Sequence, residues 1–154
     1  MNGSKRVLIV EARFYEDIAD GLYEGVVAEL EKAGVAHDRI TVPGVFEIPT
    51  AVRMAMRAQE TQAGPTLYDG VITTGCVIRG ETDHYDHICR EASRALMELS
   101  VTYCFPHGFG VLTCESYAQA KVRADVAQKN KGADAAHACL RLMELRESFG
   151  LRPL

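Results

Sequence analysis

Apolar and polar residues alternate along this chain in two periods, and the change from one to the other recurs. Arg6-Val7-Leu8-Ile9-Val10-Glu11 is a short apolar run of strand type. From Glu16 to Ala33, Ile18, Leu22, Val26 and Leu30 recur at fourfold spacing, which is one face of a helix, and Gly34 is placed to end it. Arg39-Ile40-Thr41-Val42 predicts a second strand stopped by Pro43-Gly44. A second helix is expected from about Pro49, with Val52, Met54, Ala55 and Met56, until Gly64-Pro65 breaks it. The run Tyr68 to Cys76 predicts a third strand, and from about Asp83 a third helix carries Ile88, Ala92, Leu96 and Leu99 on one face. Val101 to Phe105 and Gly110 to Thr113 flank Pro106-His107-Gly108, so they read as a fourth strand with an interruption or as two short strands. Helices are expected at 116–127 and 134–149, parted by Lys129-Asn130-Lys131-Gly132.

Strand followed by helix, repeated without a long polar linker, predicts an α/β fold with a parallel sheet covered by helices on both faces. No internal repeat or low-complexity segment divides the pattern, so one domain over 1–154 is expected. In such sheets ligands gather where strands end at their carboxyl edge. Val77-Ile78-Arg79-Gly80-Glu81-Thr82-Asp83-His84-Tyr85-Asp86-His87 stands at that place, directly after the third strand, and concentrates the reactive side chains of the chain.

Composition narrows the classes of function. The 154 residues are 47% hydrophobic and 25% charged, a globular balance, and the net charge of −4 leaves no basic footprint for nucleic acid. No stretch approaches the roughly 20 apolar residues that span a bilayer, and the first residues do not have the pattern of a signal peptide, so the cytoplasm is the expected compartment. Cys76, Cys89, Cys104, Cys114 and Cys139 contain no C-x-x-C pair, which argues against a disulfide framework or a cysteine zinc site. Most lie in apolar runs and are expected to be buried thiols; Cys76 closes the strand before the polar loop, which leaves a wall position open beside a plain core position.

The loop chemistry admits several readings. His84 and His87 at i and i+3, with Glu81, Asp83 and Asp86, permit a divalent metal, although acids at a helix start more often complement the helix dipole and nothing else in the chain supplies a ligand motif. Gly80-Glu81-Thr82 permits an anion at a helix N-terminus, with the neighbouring acids opposing it. His84 permits a proton shuttle near neutral pH.

Val42-Pro43-Gly44-Val45-Phe46-Glu47-Ile48-Pro49, the segment Tyr68 to His84, Gly108-Phe109-Gly110-Val111-Leu112-Thr113, and Gln119-Ala120 with Asn130-Lys131-Gly132 together resemble the 6,7-dimethyl-8-ribityllumazine synthases, in the family's order and spacing over nearly the whole chain. The resemblance implies a flavodoxin-like three-layer αβα sandwich with a four-stranded parallel sheet. It implies condensation of 5-amino-6-(D-ribitylamino)uracil with 3,4-dihydroxy-2-butanone 4-phosphate, the penultimate step of riboflavin biosynthesis, without metal or organic cofactor. It further implies a homopentamer, or a larger assembly of pentamers, with sites between subunits, and riboflavin synthase as a pathway partner.

By the same resemblance His84 is the catalytic proton carrier, while His87 matches no site residue of the family and is expected to be structural or partly exposed. Phe14, Val45, Phe46, Glu47, Cys76, Val77 and Ile78 take the ribitylaminouracil, with Phe109 and Lys131 joining them; Phe109 would close the pocket from a neighbouring subunit. Glu81, Thr82 and Arg123 take the butanone phosphate, Arg123 through a bidentate guanidinium. Where the family often reads Arg-Phe-Asn, this chain has Arg13-Phe14-Tyr15, which removes or replaces a polar contact. The connection 124–129 lacks glycines that some members carry, which leans towards assembly stopping at pentamers. A second function class remains beside the enzyme: a non-catalytic flavin- or lumazine-binding oligomer of the same fold, since fold alone does not fix function. His84 with Arg123 favours the enzyme, because a carrier needs neither proton shuttle nor phosphate clamp.

Overall fold

The computed structural model describes residues 4–61 and 68–151. Four parallel strands form one sheet in the order β2-β1-β3-β4: β1 (Arg6–Ala12), β2 (Ala36–Val42), β3 (Gly70–Ile78) and β4 (His107–Cys114). Five helices cover it: α1 (Glu16–Lys32), α2 (Ile48–Glu60), α3 (His84–Tyr103), α4 (Tyr117–Ala124) and α5 (Lys131–Ser148). The arrangement is the flavodoxin-like three-layer αβα sandwich.

Each strand sends alternate side chains to opposite layers. Leu8, Val10 and Ala12 of β1 meet Val52 and Met56 of α2 and Ala92 and Leu96 of α3. Val7 and Ile9 meet Val26 and Leu30 of α1 and Ala135, Ala136 and Cys139 of α5. A smaller cluster joins Ile18 and Leu22 of α1 to Cys76, Leu112 and Cys114 at the strand ends and to Ala120 and Ala124 of α4. The buried apolar runs of β1 and β3 follow from coverage on both faces.

The strand expected at Val101–Phe105 is absent: α3 continues through Tyr103, and the fourth strand is the single element β4. Its β-branched and aromatic residues resemble a strand locally, but Leu96, Leu99 and Tyr103 keep helical spacing and pack on the same core. The helix stops where Cys104 turns left-handed, φ 51°, with the amides of Cys104 and Phe105 both donating to the Ser100 carbonyl. Cys104 is exposed and Cys89 half-buried, whereas Cys76, Cys114 and Cys139 are buried.

Boundaries moved elsewhere for similar reasons. β2 begins three residues before the expected Arg39, because pairing with β1 rather than hydrophobicity defines Ala36 to Asp38. α4 ends at Ala124, where Asp125 becomes extended and gathers the amides of Gln128 and Asn130 on its carbonyl. α5 starts at Lys131 rather than Asp134. The expected breaker Gly64-Pro65 lies outside the described residues. No helix of the described residues is long and apolar enough to cross a membrane.

Candidate active site

β1 and β3 are neighbours whose following helices, α1 and α3, leave to opposite layers. This opens a crevice at their carboxyl ends, the switch point at which open α/β sheets hold ligands. A cleft of about 740 Å³ lies there. Phe14 and Tyr15 enter it from the loop after β1, and Pro43 to Glu47 from the connection after β2. Cys76, Val77 and Ile78 close it at the end of β3, and His84, His87 and Ile88 border it from the first turns of α3.

Three features build its walls. Phe14 is 75% and Phe46 58% exposed, so two aromatic rings stand largely open at the cleft. Val45, at the start of a 3-10 turn over Val45–Glu47, is buried and reaches Gly75 of β3 so closely that a Cβ there would sit 2.8 Å from its Cγ2. Burial, and then Cys114 beside it, push the Cys76 thiol up to about 12, so Cys76 is a neutral wall and not a nucleophile.

The loop between β3 and α3 is tied locally. The Thr82 hydroxyl accepts from the His84 amide at 3.3 Å, and Glu81, Thr82 and His84 are all exposed. The acids that oppose an anion here are largely engaged: Asp86 and Glu115 pair with Arg79, and Asp83 faces His87 at 3.3 Å. Among the described residues no three His, Cys, Asp or Glu side chains gather as a metal site would require. Arg123 lies on the last turn of α4, half-buried, and donates to the Gln119 carbonyl of its own helix at 3.1 Å.

Phe109 and Lys131 are not in this cleft. They border a second one of about 360 Å³ on the far side of β4, with His107, Asp134, Ala135 and Ala138. Phe109 is 44% exposed, and the Lys131 ammonium pairs with Asp134 at 3.0 Å. The two clefts share no lining residue.

A sequence model of 6,7-dimethyl-8-ribityllumazine synthase matches residues 4–147. The chain belongs to the 6,7-dimethyl-8-ribityllumazine synthase family. Curated lumazine synthases share about half of its residues. One from Paramagnetospirillum magneticum is 51% identical over 146 residues, covering 95% of this chain and 97% of that protein. Another from Nitrobacter hamburgensis is 50% identical over 141 residues, 92% of this chain and 85% of the relative. The protein named 6,7-dimethyl-8-ribityllumazine synthase 1 of Rhodopseudomonas palustris is 51% identical with the same coverage.

Eight residues singled out on lumazine synthase resemblance therefore border one cleft: Phe14, Val45, Phe46, Glu47, Cys76, Val77, Ile78 and His84. Phe109 and Lys131 form a second group, while Glu81, Thr82 and Arg123 border neither cleft. Three further residues gain a place that the sequence did not assign, Tyr15 being legible there only as a departure from the family pattern. Tyr15 lines the first cleft and meets the Phe14 ring edge-on at 5.0 Å. His107 lies beside Phe109 in the second, ring centroids 6.1 Å apart, bound to the Thr73 hydroxyl at 2.8 Å, and burial lowers its pKa to about 4. Arg79 stands inside the polar loop that follows β3, and its pairing with Asp86 and Glu115 is what the sequence did not show.

Proposed function

We propose that this protein is a transferase joining 5-amino-6-(D-ribitylamino)uracil to 3,4-dihydroxy-2-butanone 4-phosphate. The products are 6,7-dimethyl-8-ribityllumazine, inorganic phosphate and water, in the penultimate step of riboflavin biosynthesis. The observation that carries the reading is the half-identity to proteins named for this product over more than nine-tenths of the chain. The cleft supports it with the chemistry the reaction needs. Phe14 and Phe46 offer faces to a planar pyrimidine, Glu47 accepts from ribityl hydroxyls, and Cys76 to Ile78 form the wall.

Two reactants held in one crevice gain from alignment, for which effective molarities of about 10⁵ M or more are attainable. An amine then attacks the ketone to form an imine, phosphate leaves, and the ring closes. His84 at the cleft mouth carries protons, a role contributing on the order of 10² to 10⁴ in rate. Glu81, Thr82 and Arg123 take the phosphate end. A homopentamer is part of this proposal, with Phe109 and Lys131 of one chain facing the cleft of the next; the exposure of Phe109 in a cleft of its own supports it. So are a single domain, a cytoplasmic setting and riboflavin synthase as the consumer of the product.

The test is a steady-state assay with both substrates. Arg123→Ala is expected to raise KM for the phosphorylated ketone or abolish turnover, and His84→Ala to lower kcat with smaller effects on binding. A wild-type rate no faster than the uncatalysed condensation would sink the proposal and favour a non-catalytic lumazine or flavin binder.

A further inference from the structure

Arg79 follows directly on β3 and is held by three elements at once. Its amide donates to the Cys114 carbonyl at 2.9 Å, which carries the β3–β4 pairing one residue beyond the strand. Its Nε donates to Glu115 at 2.9 Å, and its two terminal nitrogens donate to both oxygens of Asp86 at 3.3 and 3.2 Å. The guanidinium carbon lies 4.3 Å from the centre of the Tyr85 ring. Tyr85 and Asp86 belong to the first turn of α3, next to His84. Glu115 precedes Ser116, which caps α4, the helix that carries Arg123.

We propose that Arg79 is a positioning residue of the phosphate half-site: its guanidinium clamps the Gly80–Asp83 loop, the His84 turn and the root of α4 into one geometry. The inference rests on the reading above that Thr82 and Arg123 receive the phosphate. A planar fork with its face on an aromatic ring and its edges on two carboxylates is directional, as an ammonium is not. The clamp also disposes of charge. Of the acids around the loop, Asp86 and Glu115 have their charge met by Arg79, so an incoming phosphate meets a cradle with less opposing field. With Nε and both terminal nitrogens on carboxylates, Arg79 acts through the loop rather than as a phosphate ligand itself.

The test compares Arg79→Met, Arg79→Lys, Asp86→Asn and Arg123→Ala in the assembled enzyme. The readouts are KM for each substrate, Ki for inorganic phosphate as a competitor of the ketone, and melting temperature. Arg79→Met and Asp86→Asn are each expected to raise KM for the ketone and Ki for phosphate about tenfold, since misplacing a binding group by ~1 Å costs up to about a hundredfold. KM for the pyrimidine should stay within about twofold, because the lost interaction belongs to the other substrate. Arg79→Lys should fall between, keeping the charge and losing the fork.

If Arg79→Met leaves phosphate Ki unchanged while Arg123→Ala raises it, the clamp is refuted and the phosphate reading stands. If Arg123→Ala also has no effect, the phosphate reading itself fails and takes the clamp with it. A lower Ki in Asp86→Asn would make Arg79 a direct phosphate ligand once freed, which overturns the proposal. Equal losses for both substrates with a lower melting temperature would reduce Arg79 to a fold-stabilising residue. Should Arg79→Met not fold, Asp86→Asn and Arg79→Lys decide alone.

Discussion

Replacing Gly75 with alanine is expected to disturb the side of the cleft proposed to hold the pyrimidine without touching any residue exposed in it. The new Cβ would stand 2.8 Å from Cγ2 of Val45 and 3.2 Å from Cβ of Ala12. Carbon atoms settle at about 3.5–4.0 Å, so Val45 has to retreat by roughly 0.7 Å or more. Val45 opens the turn that presents Phe46 and Glu47, and the displacement passes to both. Overfilling a packed site costs about 1–3 kcal/mol. At about 2–4 °C per kcal/mol for a chain of this size, the melting temperature should fall by roughly 2 to 12 °C. A shift approaching ~1 Å in binding groups should raise KM for the ribitylaminouracil by about ten- to a hundredfold. Val45→Ala empties the space that the new methyl needs. Alone it should cost about 2 kcal/mol through the lost methyls and the cavity, yet in combination with Gly75→Ala it should recover about 1 kcal/mol and part of the KM. The four proteins of this cycle are compared by calorimetry at one concentration, because association shifts melting temperature, and by steady-state kinetics. An unchanged KM and melting temperature in Gly75→Ala, or a double variant no better than the sum of the singles, would refute the claim that this close approach sets the cleft.

Three further outcomes are expected. Phe14→Ala should raise KM for the pyrimidine by an amount equivalent to about 1–3 kcal/mol of lost stacking while moving the melting temperature little, since the ring is 75% exposed; a fall in thermal stability without a KM change would contradict its role. Burial holds the His107 pKa at about 4 against 6.5 in the unfolded chain, so below pH 6.5 the unfolded state binds the extra proton. Stability contributed by neutral His107 is then lost as pH falls from about 6.5 to about 4, with a slope approaching about 1.4 kcal/mol per pH unit at most, and denaturant titrations of His107→Gln should show a flatter profile in that window. Cys104→Gly should raise the melting temperature by about 1–3 °C, because exposed Cys104 holds the left-handed backbone, φ 51°, that glycine adopts without strain; a decrease would argue against the helix end described.

Legibility followed the range of the interaction. Fourfold spacing in Ile18, Leu22, Val26 and Leu30 reports burial directly, and all four are buried on α1. The β2 residues Ala36, His37 and Asp38 carry no such signal, because their strand state is set by the partners Arg6, Val7 and Leu8 across the sheet. Val101 to Tyr103 show the opposite failure: local preference pointed to a strand, and helix packing through Leu99 and Tyr103 prevailed. Within the cleft, the motif residues were readable because they are contiguous. Arg79 was readable as a residue but not as a clamp, since Glu115 lies 36 positions away and only the β3–β4 register brings it near.

The same register explains why one chain leaves its cleft open. The crevice forms between β1 and β3, where α1 and α3 depart to opposite layers, and β4 lies beyond β3 in the order β2-β1-β3-β4. Phe109 pairs with Thr73 along β3 and projects into the cleft on the other side of β4, so it cannot fold back over Phe14 within one chain. Yet imine formation and phosphate departure gain from excluded water and strengthened electrostatics, which an open cleft with Phe14 and Phe46 exposed does not supply. On the proposed reading the cover has to come from a second copy. The surface suited to supply it carries an aromatic ring and a cation side by side, and Phe109 with Lys131 is such a pair on this chain.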